Sequence, residues 1–279
     1  MTDLQEIEAA NFAQRPSLLL TPQSIRVVDW NIDRGLQLSA IIEFLAAIKA
    51  ELVLLQEVDL NARRTHRLDI AKEIARRLRM NYVFGREFEE LSQGGKTSRA
   101  YQGQATLSRW PLFNARLIRF REQSTFWRPR WYLPRSPLFQ ERLGGRIALV
   151  AEVHAGARTL VTYNLHLESR GDDRLRRAQL REVLADARQY GQKVPLIIAG
   201  DLNLDVSQDR VATDIRRAML LNAFSGMHVP TTTPRSIFDH GRIIDWLFSR
   251  GPLQVAQSAV HRSVRASDHY PLSVRVDLL

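Results

Sequence analysis

The stretch IIAGDLNLD, residues 197–205, joins a run of apolar residues to a glycine and then to Asp201, Asn203 and Asp205. The apolar run predicts a short buried strand that ends at this point. Side chains two residues apart lie on the same side of an extended chain, so the carboxylate of Asp201 and the amide of Asn203 can reach one small target. The stretch therefore predicts a strand end that carries chemistry.

Other apolar strands of the sequence also end in polar side chains. A single residue of this kind is most often a turn or capping residue. A whole series of acid, amide and imidazole groups at strand ends instead predicts a functional site, because functional groups gather where a rigid sheet meets open loops. The series consists of Asn31, Glu57, His166, Asp201 with Asn203, Asp245, and Asp268 with His269.

Segments of strand length outnumber helical segments along the chain. RIALVAEVH and RTLVTYNLHLES flank the turn AGAR, whereas LSAIIEFLAAIKA and DDRLRRAQLREVLADARQYG have helical spacing. QGQATLSRWP and FNARLIRF are predicted to form a strand pair broken by Pro111. This order is typical of an α/β fold in which two sheets pack face to face with helices outside. We expect an N-terminal extension over residues 1–23 and a single domain over residues 24–279.

The absence of cysteine and the excess of positive charge limit the function. Without cysteine, the 279-residue chain has no disulfides, zinc–thiolate sites or cysteine nucleophiles. Oxygen donors and histidine remain as metal ligands, and they suit magnesium, manganese or calcium. The net charge is +10, and lysine occurs only at residues 49, 72, 96 and 193, so most basic residues are arginine. Arginine binds phosphate oxygens well, and such a protein should attract nucleic acid or acidic lipid headgroups.

The sequence shows no recognisable targeting or membrane segment. MTDLQEIEAANFAQRPSLLLTPQ is acidic and mixed, and it lacks a positively charged region followed by an apolar core. No window approaches 18 consecutive apolar residues. We therefore expect a cytoplasmic protein that is a monomer without an obligate protein partner.

The polar strand ends suit metal-assisted hydrolysis of a phosphoester. Glu57 offers a hard oxygen ligand for magnesium, which keeps several waters and needs only one or two carboxylates. Asp201 can accept a proton from an attacking water, and Asn203 can hold that water or a phosphoryl oxygen. Asp268 is a candidate second metal ligand.

An imidazole–carboxylate pair is predicted from two further residues. His269 beside Asp245 would be held as the imidazolium, because a neighbouring carboxylate favours the charged ring. An imidazolium can stabilise the negative charge of the phosphoryl transition state, or it can protonate a leaving oxygen.

Eight stretches occur in the order of a known family, from about residue 24 to the C-terminus. The stretches are VVDWNI, LLQEVD, GQATLSRWPL, GGRIALVAEV, YNLHLES, AGDLNLD, RIIDWLFS and ASDHYPL. Through them the sequence resembles the endonuclease/exonuclease/phosphatase superfamily, which includes pancreatic-type deoxyribonucleases, abasic-site endonucleases, neutral sphingomyelinases and inositol polyphosphate phosphatases. The resemblance implies a four-layer α/β-sandwich, with two mainly antiparallel β-sheets packed face to face and helices outside. It also implies a phosphohydrolase that depends on Mg²⁺, with Mn²⁺ as a substitute.

The resemblance also implies roles for individual residues. Asn31 resembles the amide that orients the phosphate, and Glu57 resembles the principal metal ligand. His166 resembles a phosphate-contacting histidine. Asp201 resembles the residue that activates water, and Asn203 resembles its helper. Asp245 and His269 resemble the carboxylate–imidazole pair near the end of the family's sequence, and Asp268 resembles a metal ligand.

Three further residues match the family less closely, and we predict that they contact the substrate. Arg146 stands where some relatives carry a phosphate-contacting arginine. Arg64 resembles an arginine that follows the glutamate motif in many bacterial members. Gln104 stands in GQATLSR where relatives often have asparagine. Glu141 is a candidate carboxylate partner for His166.

The substrate is a separate question, and the segment of residues 121–145 is the best local clue to it. Trp127, Arg130 and Trp131 belong to an interleaved run of aromatic residues, arginines and prolines. Such residues could stack on bases and pair with phosphates, or they could lie at a lipid interface. A DNA nuclease is the first hypothesis. The alternatives are a hydrolase of a phospholipid, inositide or other small phosphoester, and a binding module that uses the same groove without catalysis.

Overall fold

The computed structural model describes residues 2–13, 21–95, 97–124, 126, 132–134, 136–234, 236 and 239–279. The predicted contact residues Trp127, Arg130 and Trp131 lie outside these ranges, so their predicted role stays a prediction. Among the described residues, no helix is long and apolar enough to cross a membrane.

The first of two β-sheets is built mainly from the N-terminal half of the chain and is completed by two C-terminal strands. Its central strands β2 and β3 are parallel, and its other pairs among the described residues are antiparallel. In spatial order the strands are β1 (Ile7–Asn11), β4 (Asn81–Glu90), β5 (Tyr101–Ser108), β3 (Leu52–Leu60), β2 (Ser24–Arg34), β14 (Leu272–Leu278) and β13 (Leu253–Val260), and β7 (Arg142–Gly144) pairs with β4.

The second sheet contains the strand that ends in Asp201. Strands β9 and β10 run parallel, and the remaining pairs described in this sheet are antiparallel. Its strands in spatial order are β11 (Leu221–Asn222), β12 (Asp245–Arg250), β10 (Leu196–Asp201), β9 (Arg158–His166), β8 (Ile147–Ala155) and β6 (Leu112–Arg119).

Within the described residues, four α-helices cover the outer faces of the two sheets. Helices α1 (Leu38–Ala47) and α2 (Ile70–Leu78) pack on the first sheet, and α3 (Asp173–Ala187) and α4 (Asp209–Arg217) pack on the second. The predicted four-layer α/β-sandwich of mainly antiparallel sheets is therefore confirmed.

Side-chain alternation along the central strands separates the inner core from the outer cores. In β2, Ile25 and Val27 face the second sheet, whereas Val28 and Trp30 face the helices. The same period of two places Ile197 and Ala199 of β10 between the sheets. On each central strand, every second side chain points toward the facing sheet, and we call these positions the inward parity of the strand. At the strand ends, side chains of inward parity therefore point into the gap between the two sheets.

The predicted pairing of the strands on either side of Pro111 is wrong. β5 pairs with β3 and β4 in the first sheet, whereas β6 pairs with β8 in the second. The residues around Pro111 carry the chain from one sheet to the other, so their two flanking strands never meet. Strand β1 was also not predicted. It lies within the predicted N-terminal extension and forms an edge of the first sheet.

Gly200 is required where β10 passes between β9 and β12. Its φ is +144°, and a Cβ atom there would lie 2.0 Å from the carbonyl oxygen of Leu165. We expect Gly200→Ala to lower the free energy of unfolding by about 3 kcal/mol or more, because the clash is with backbone that cannot move aside. Urea unfolding checks this, with Gly191→Ala as the control, since no atom lies within 4 Å of a Cβ there. A variant as stable as wild type would contradict it.

Candidate active site

Neighbouring strands of the second sheet place three of the predicted residues side by side. Asp201 at the end of β10 pairs in register with His166 of β9 and with Asp245 of β12. All three have the inward parity of their strands, so their side chains point into the gap between the sheets. Asn31 has the inward parity of β2 and reaches the same point from the first sheet, because its Nδ2 donates to Oδ2 of Asp201 at 3.2 Å.

Asp201 lies at the centre of a converging set of hydrogen-bond donors. The backbone N–H of Asn203 donates to its Oδ1 at 2.9 Å, which is possible because Asn203 adopts a φ of 48° after the strand ends. Nε2 of His166 lies 3.5 Å and Nε2 of His269 lies 3.7 Å from Oδ2 of Asp201. The carboxylate is thus held by donors from both sheets.

His269 and Asp245 form the predicted imidazole–carboxylate pair. Nδ1 of His269 lies 2.9 Å from both carboxylate oxygens of Asp245, so it carries a proton and donates. Burial disfavours the charged ring, but the carboxylates of Asp245 and Asp201 outweigh it and raise the pKa of His269 to about 10. The ring is therefore an imidazolium at neutral pH, with its Nε2–H directed at the centre of the site.

The other histidine of the site has a different neighbour. Nδ1 of His166 lies 2.8 Å from NH1 of Arg146, and the same NH1 donates to Oε1 of Glu87 at 2.6 Å. NH2 of Arg146 donates to Oγ of Ser169 at 2.9 Å. Arg146, Glu87 and His166 are all buried, so this chain of contacts forms the floor of the site.

Glu57 reaches the site because β3 contains a β-bulge. The pairing of β3 with β5 shifts register between Leu55 and Val58, and Glu57 has a φ of 50°. Although burial opposes ionisation, the positive charge around Glu57, which includes the guanidinium groups of Arg34 and Arg146, lowers the pKa of Glu57 to about 2. Glu57 is therefore a carboxylate throughout the neutral range, as a metal ligand must be.

Several of these side chains, among them Glu57, Arg146, His166, Asp201 and His269, line a cavity of about 470 Å³. The exposed charged side chains of the cavity are Arg170 and Arg242, together with the acidic residues Glu141 and Asp268. Asp268 is exposed and lines the same cavity, while its backbone carbonyl oxygen accepts from the N–H of Thr233 at 2.8 Å. The cavity residues include Arg34, Glu57, Glu141, Arg142, Arg146, His166, Ser169, Arg170, Asp201, Asn203, Arg242, Asp268 and His269.

Two residues predicted to contact the substrate lie elsewhere in the structure. Gln104 is fully buried, its Nε2 donates to the carbonyl oxygen of Ile147 at 2.9 Å, and its Oε1 accepts from the N–H of Leu149 at 3.3 Å. It links the first sheet to the second and cannot reach a substrate. Arg64 is engaged by Asp59 at 2.7 Å and by Glu90 at 3.2 Å, and it does not line the cavity. The structure therefore places neither residue in the cavity.

The sequence did not reveal Glu87 or the arginines Arg34, Arg142, Arg170 and Arg242 of the cavity. Glu87, not Glu141, is the carboxylate beside His166, at 3.7 Å from Nδ1, whereas Glu141 pairs with Arg142 at 3.4 Å. Glu87 comes from β4 of the opposite sheet, so no local pattern links it to His166. The alternation of FGREFEE, which places Glu87 on an inward position, was the available signal.

A buried acid lies beneath the site and gives the fold a predictable pH dependence. Asp29 is fully buried between the sheets, where Nε2 of Gln56 donates to its Oδ1 at 2.9 Å. Burial and the nearby charges of Asp245 and Asp201 raise the pKa of Asp29 well above its usual value. The unfolded chain releases this proton near about pH 4, so stability falls as pH rises from there towards the folded-state pKa.

We expect Asp29→Asn to remove this loss, since an amide imitates the protonated acid. Its free energy of unfolding should exceed that of wild type, by a margin that grows by about 1.4 kcal/mol per pH unit within that window. Urea unfolding between pH 5 and 8 measures the margin, with Asp205→Asn at an exposed position as the control. A margin that stays constant with pH would contradict the assignment.

The sequence profile of the Endonuclease/Exonuclease/phosphatase family matches residues 30–269, which span every residue of the site. The chain belongs to this family. Members of the family are metal-dependent phosphoric ester hydrolases, and this chain is such an enzyme. Among curated proteins, no match to the sequence was found.

Solved structures of family proteins share the fold at low sequence identity. An endonuclease/exonuclease/phosphatase from Beutenbergia cavernae is 19% identical with a TM-score of 0.68, covering 92% of this chain and 72% of that one. TDP2 from C. elegans is 19% identical with a TM-score of 0.61, and the coverage is 91% and 75%. A mannosyl-6-phosphatase from Bacteroides thetaiotaomicron is 17% identical with a TM-score of 0.63, and the coverage is 90% and 99%. These relatives differ in name and therefore leave the substrate open.

Enzymes of this family use divalent metals, and two sets of side chains here could hold one. Asp201, Asp245 and His269 offer ligand atoms within 4.8 Å of one another. His269, however, is protonated and bonded to Asp245, and a histidine must be neutral to bind a metal. Glu57 fits better because it is ionised and faces the same cavity as Asp268. Their oxygen donors suit a hard divalent cation.

Proposed function

We propose that this protein is a magnesium-dependent phosphodiesterase that cleaves DNA, with manganese able to substitute. The observation that carries the proposal is the charge at the mouth of the cavity. Arg170 and Arg242 are exposed there and form no salt bridge with any residue in the described part of the chain. A polyanion can therefore place one phosphate at the floor while its neighbouring phosphates meet these two arginines.

The residues of the floor suit in-line attack on that phosphate. Glu57, with Asp268 in the same cavity, would hold a divalent metal, which would supply charge neutralisation at the phosphoryl oxygens. Asp201 takes the proton of the attacking water, and Asn203 orients that water. The imidazolium of His269 directs Nε2–H at the developing negative charge or at the leaving oxygen. Asn31 holds Asp201 in place through the hydrogen bond of 3.2 Å.

Nicking of supercoiled plasmid tests the proposal. Purified protein is assayed with magnesium, manganese or chelator, beside Asp201→Ala prepared in the same way. Metal-dependent nicking that is abolished in the variant supports a DNA endonuclease. No nicking in any metal, or equal nicking by the variant, would overturn it.

Salt dependence of binding tests the role of the mouth. The double variant Arg170→Ala/Arg242→Ala should lower the slope of log K against log salt by about 2, since each of the two arginines would neutralise one DNA phosphate in the wild-type complex. The control is Arg77→Ala on α2, an exposed arginine on the outer face of the first sheet. An unchanged slope in the double variant would contradict binding of DNA phosphates by these arginines.

A small phosphoester is the second candidate, and the volume of the cavity favours it. A volume of about 470 Å³ is within the usual range for a small-molecule site. The structural neighbours also include a mannosyl-6-phosphatase. Phosphate release from sugar phosphates, inositol phosphates or phospholipid headgroups, together with indifference to DNA, would establish this candidate.

A further inference from the structure

The two histidines of the site have opposite partners at Nδ1. His269 meets a carboxylate there, because both oxygens of Asp245 lie at 2.9 Å. His166 meets a guanidinium, because NH1 of Arg146 lies at 2.8 Å. A carboxylate only accepts hydrogen bonds and a guanidinium only donates them. The two rings must therefore carry their protons differently.

We propose that Arg146 is a positioning residue that fixes His166 as the neutral tautomer with its proton on Nε2. Since Arg146 can only donate, Nδ1 of His166 has to accept, and the ring proton is left on the opposite nitrogen. That nitrogen faces Oδ2 of Asp201 at 3.5 Å. His166 then acts as a hydrogen-bond donor to the reacting groups and does not transfer a proton, which leaves proton transfer to His269 and Asp201.

Several interactions hold the guanidinium in this orientation. Glu87 accepts from NH1 at 2.6 Å, and Ser169 accepts from NH2 at 2.9 Å. The guanidinium carbon also lies 5.4 Å from the ring centre of Phe88. Arg146 is buried, so water does not compete for these bonds. Oε2 of Glu87 lies 3.7 Å from Nδ1 of His166, which is too long for a hydrogen bond. Glu87 therefore acts on His166 through Arg146.

This inference changes the role predicted for Arg146 from the sequence. The predicted contact was with the substrate phosphate, but both terminal nitrogens of Arg146 are occupied by protein groups. The functional meaning of the tautomer rests on the proposed phosphodiesterase activity. The tautomer itself does not, and it can be measured without substrate.

Nitrogen NMR of the histidine rings is the deciding experiment. Two-bond ¹H–¹⁵N correlation spectra of ¹⁵N-labelled protein distinguish a proton on Nδ1 from one on Nε2. Comparison with the spectrum of His166→Gln assigns His166 among the seven histidines. We expect Nε2 to be protonated and Nδ1 to be bare in the wild-type protein at neutral pH. A proton on Nδ1 of His166 would overturn the proposal, whatever the substrate proves to be.

Two variants test whether Arg146 is the cause. Arg146→Met removes the donor and leaves Glu87 to accept, so the proton of His166 should move to Nδ1. Glu87→Gln keeps Arg146 as the donor, so the tautomer should stay on Nε2. An unchanged tautomer in Arg146→Met, or a shifted one in Glu87→Gln, would refute the assignment to Arg146. If Arg146→Met does not fold, the wild-type and Glu87→Gln spectra still decide.

Activity gives a separate readout that a purely structural role would not produce. A glutamine at position 166 keeps one acceptor and one donor, as the neutral ring does. His166→Gln should therefore lower kcat by about tenfold or less, whereas His166→Ala should lower it by about 10²–10³-fold. Equal losses in the two variants would show that His166 does more than donate a hydrogen bond. If both variants kept the kcat of wild type, the proposed function would be contradicted. The NMR result on the tautomer would still stand.

Discussion

Asp201→Ala is expected to lower kcat by about 10²–10⁴-fold, the usual contribution of a general base. Asn31, His166 and His269 all direct nitrogen atoms toward this carboxylate, so it is the acceptor on which the donors of the site converge. Steady-state kinetics on supercoiled plasmid or on a small phosphoester substrate measures the loss. The thermal unfolding temperature should change little, because His166 and His269 line the cavity and can bind water there once the carboxylate is removed.

The stretch that contains Asp201 also supplies its control. Asp205→Ala removes a second carboxylate four residues further along, but Asp205 is exposed and accepts from the backbone N–H of Ser207 at 2.9 Å. It should keep wild-type kcat. Similar losses in the two variants would point to local unfolding, and activity within tenfold of wild type in Asp201→Ala would remove Asp201 from the mechanism.

Period-two alternation explains why much of this site could be predicted. Each apolar strand shows its parity through its buried residues, and that parity extends to Asn31, Asp201 and Asp245 at the strand ends. Side chains on the inward-facing side of a strand end must open into the gap between the sheets, so these three had to converge. The resemblance to a known family then supplied a role for each member.

Interactions between the two sheets could not be predicted in the same way. Gln104 belongs to a motif, yet its amide is saturated by backbone groups of Ile147 and Leu149 on the facing sheet. Glu87 meets Arg146 and His166 only because β4 and β9 belong to different sheets that pack together. Alternation along a strand can show that a side chain such as Glu87 points inward, but it does not show which residue of the facing sheet it meets. The register between two packed sheets is set by the whole core.

The arginines at the mouth were hidden for a different reason. Forty basic residues are spread along the chain, and charge alone does not show which of them share a cavity. Arg34, Arg142, Arg170 and Arg242 come from four separate parts of the chain. Their convergence depends on the order of strands in the two sheets.

Glu57→Gln is expected to have the second large effect, which is on metal binding. Glu57 is an ionised carboxylate of the cavity, with a pKa of about 2, and its amide replacement offers only a weak neutral ligand. The metal concentration needed for half-maximal activity should rise by about 100-fold or more, beyond the usual loss for residues that only support a ligand. Calorimetric titration of the protein with Mn²⁺, without substrate, measures the same change independently of activity.

A second glutamate of the cavity provides a matched control for Glu57→Gln, and a second group of residues is an alternative site for the metal. Glu141→Gln removes another glutamate that lines the same cavity, but Glu141 is exposed and pairs with Arg142. It should leave the affinity for Mn²⁺ unchanged. The competing site is the group of Asp201, Asp245 and His269, which Asp245→Asn would disrupt. If Asp245→Asn abolished Mn²⁺ binding while Glu57→Gln did not, the metal would bind in that group, and His269 would have to lose its proton to accept it.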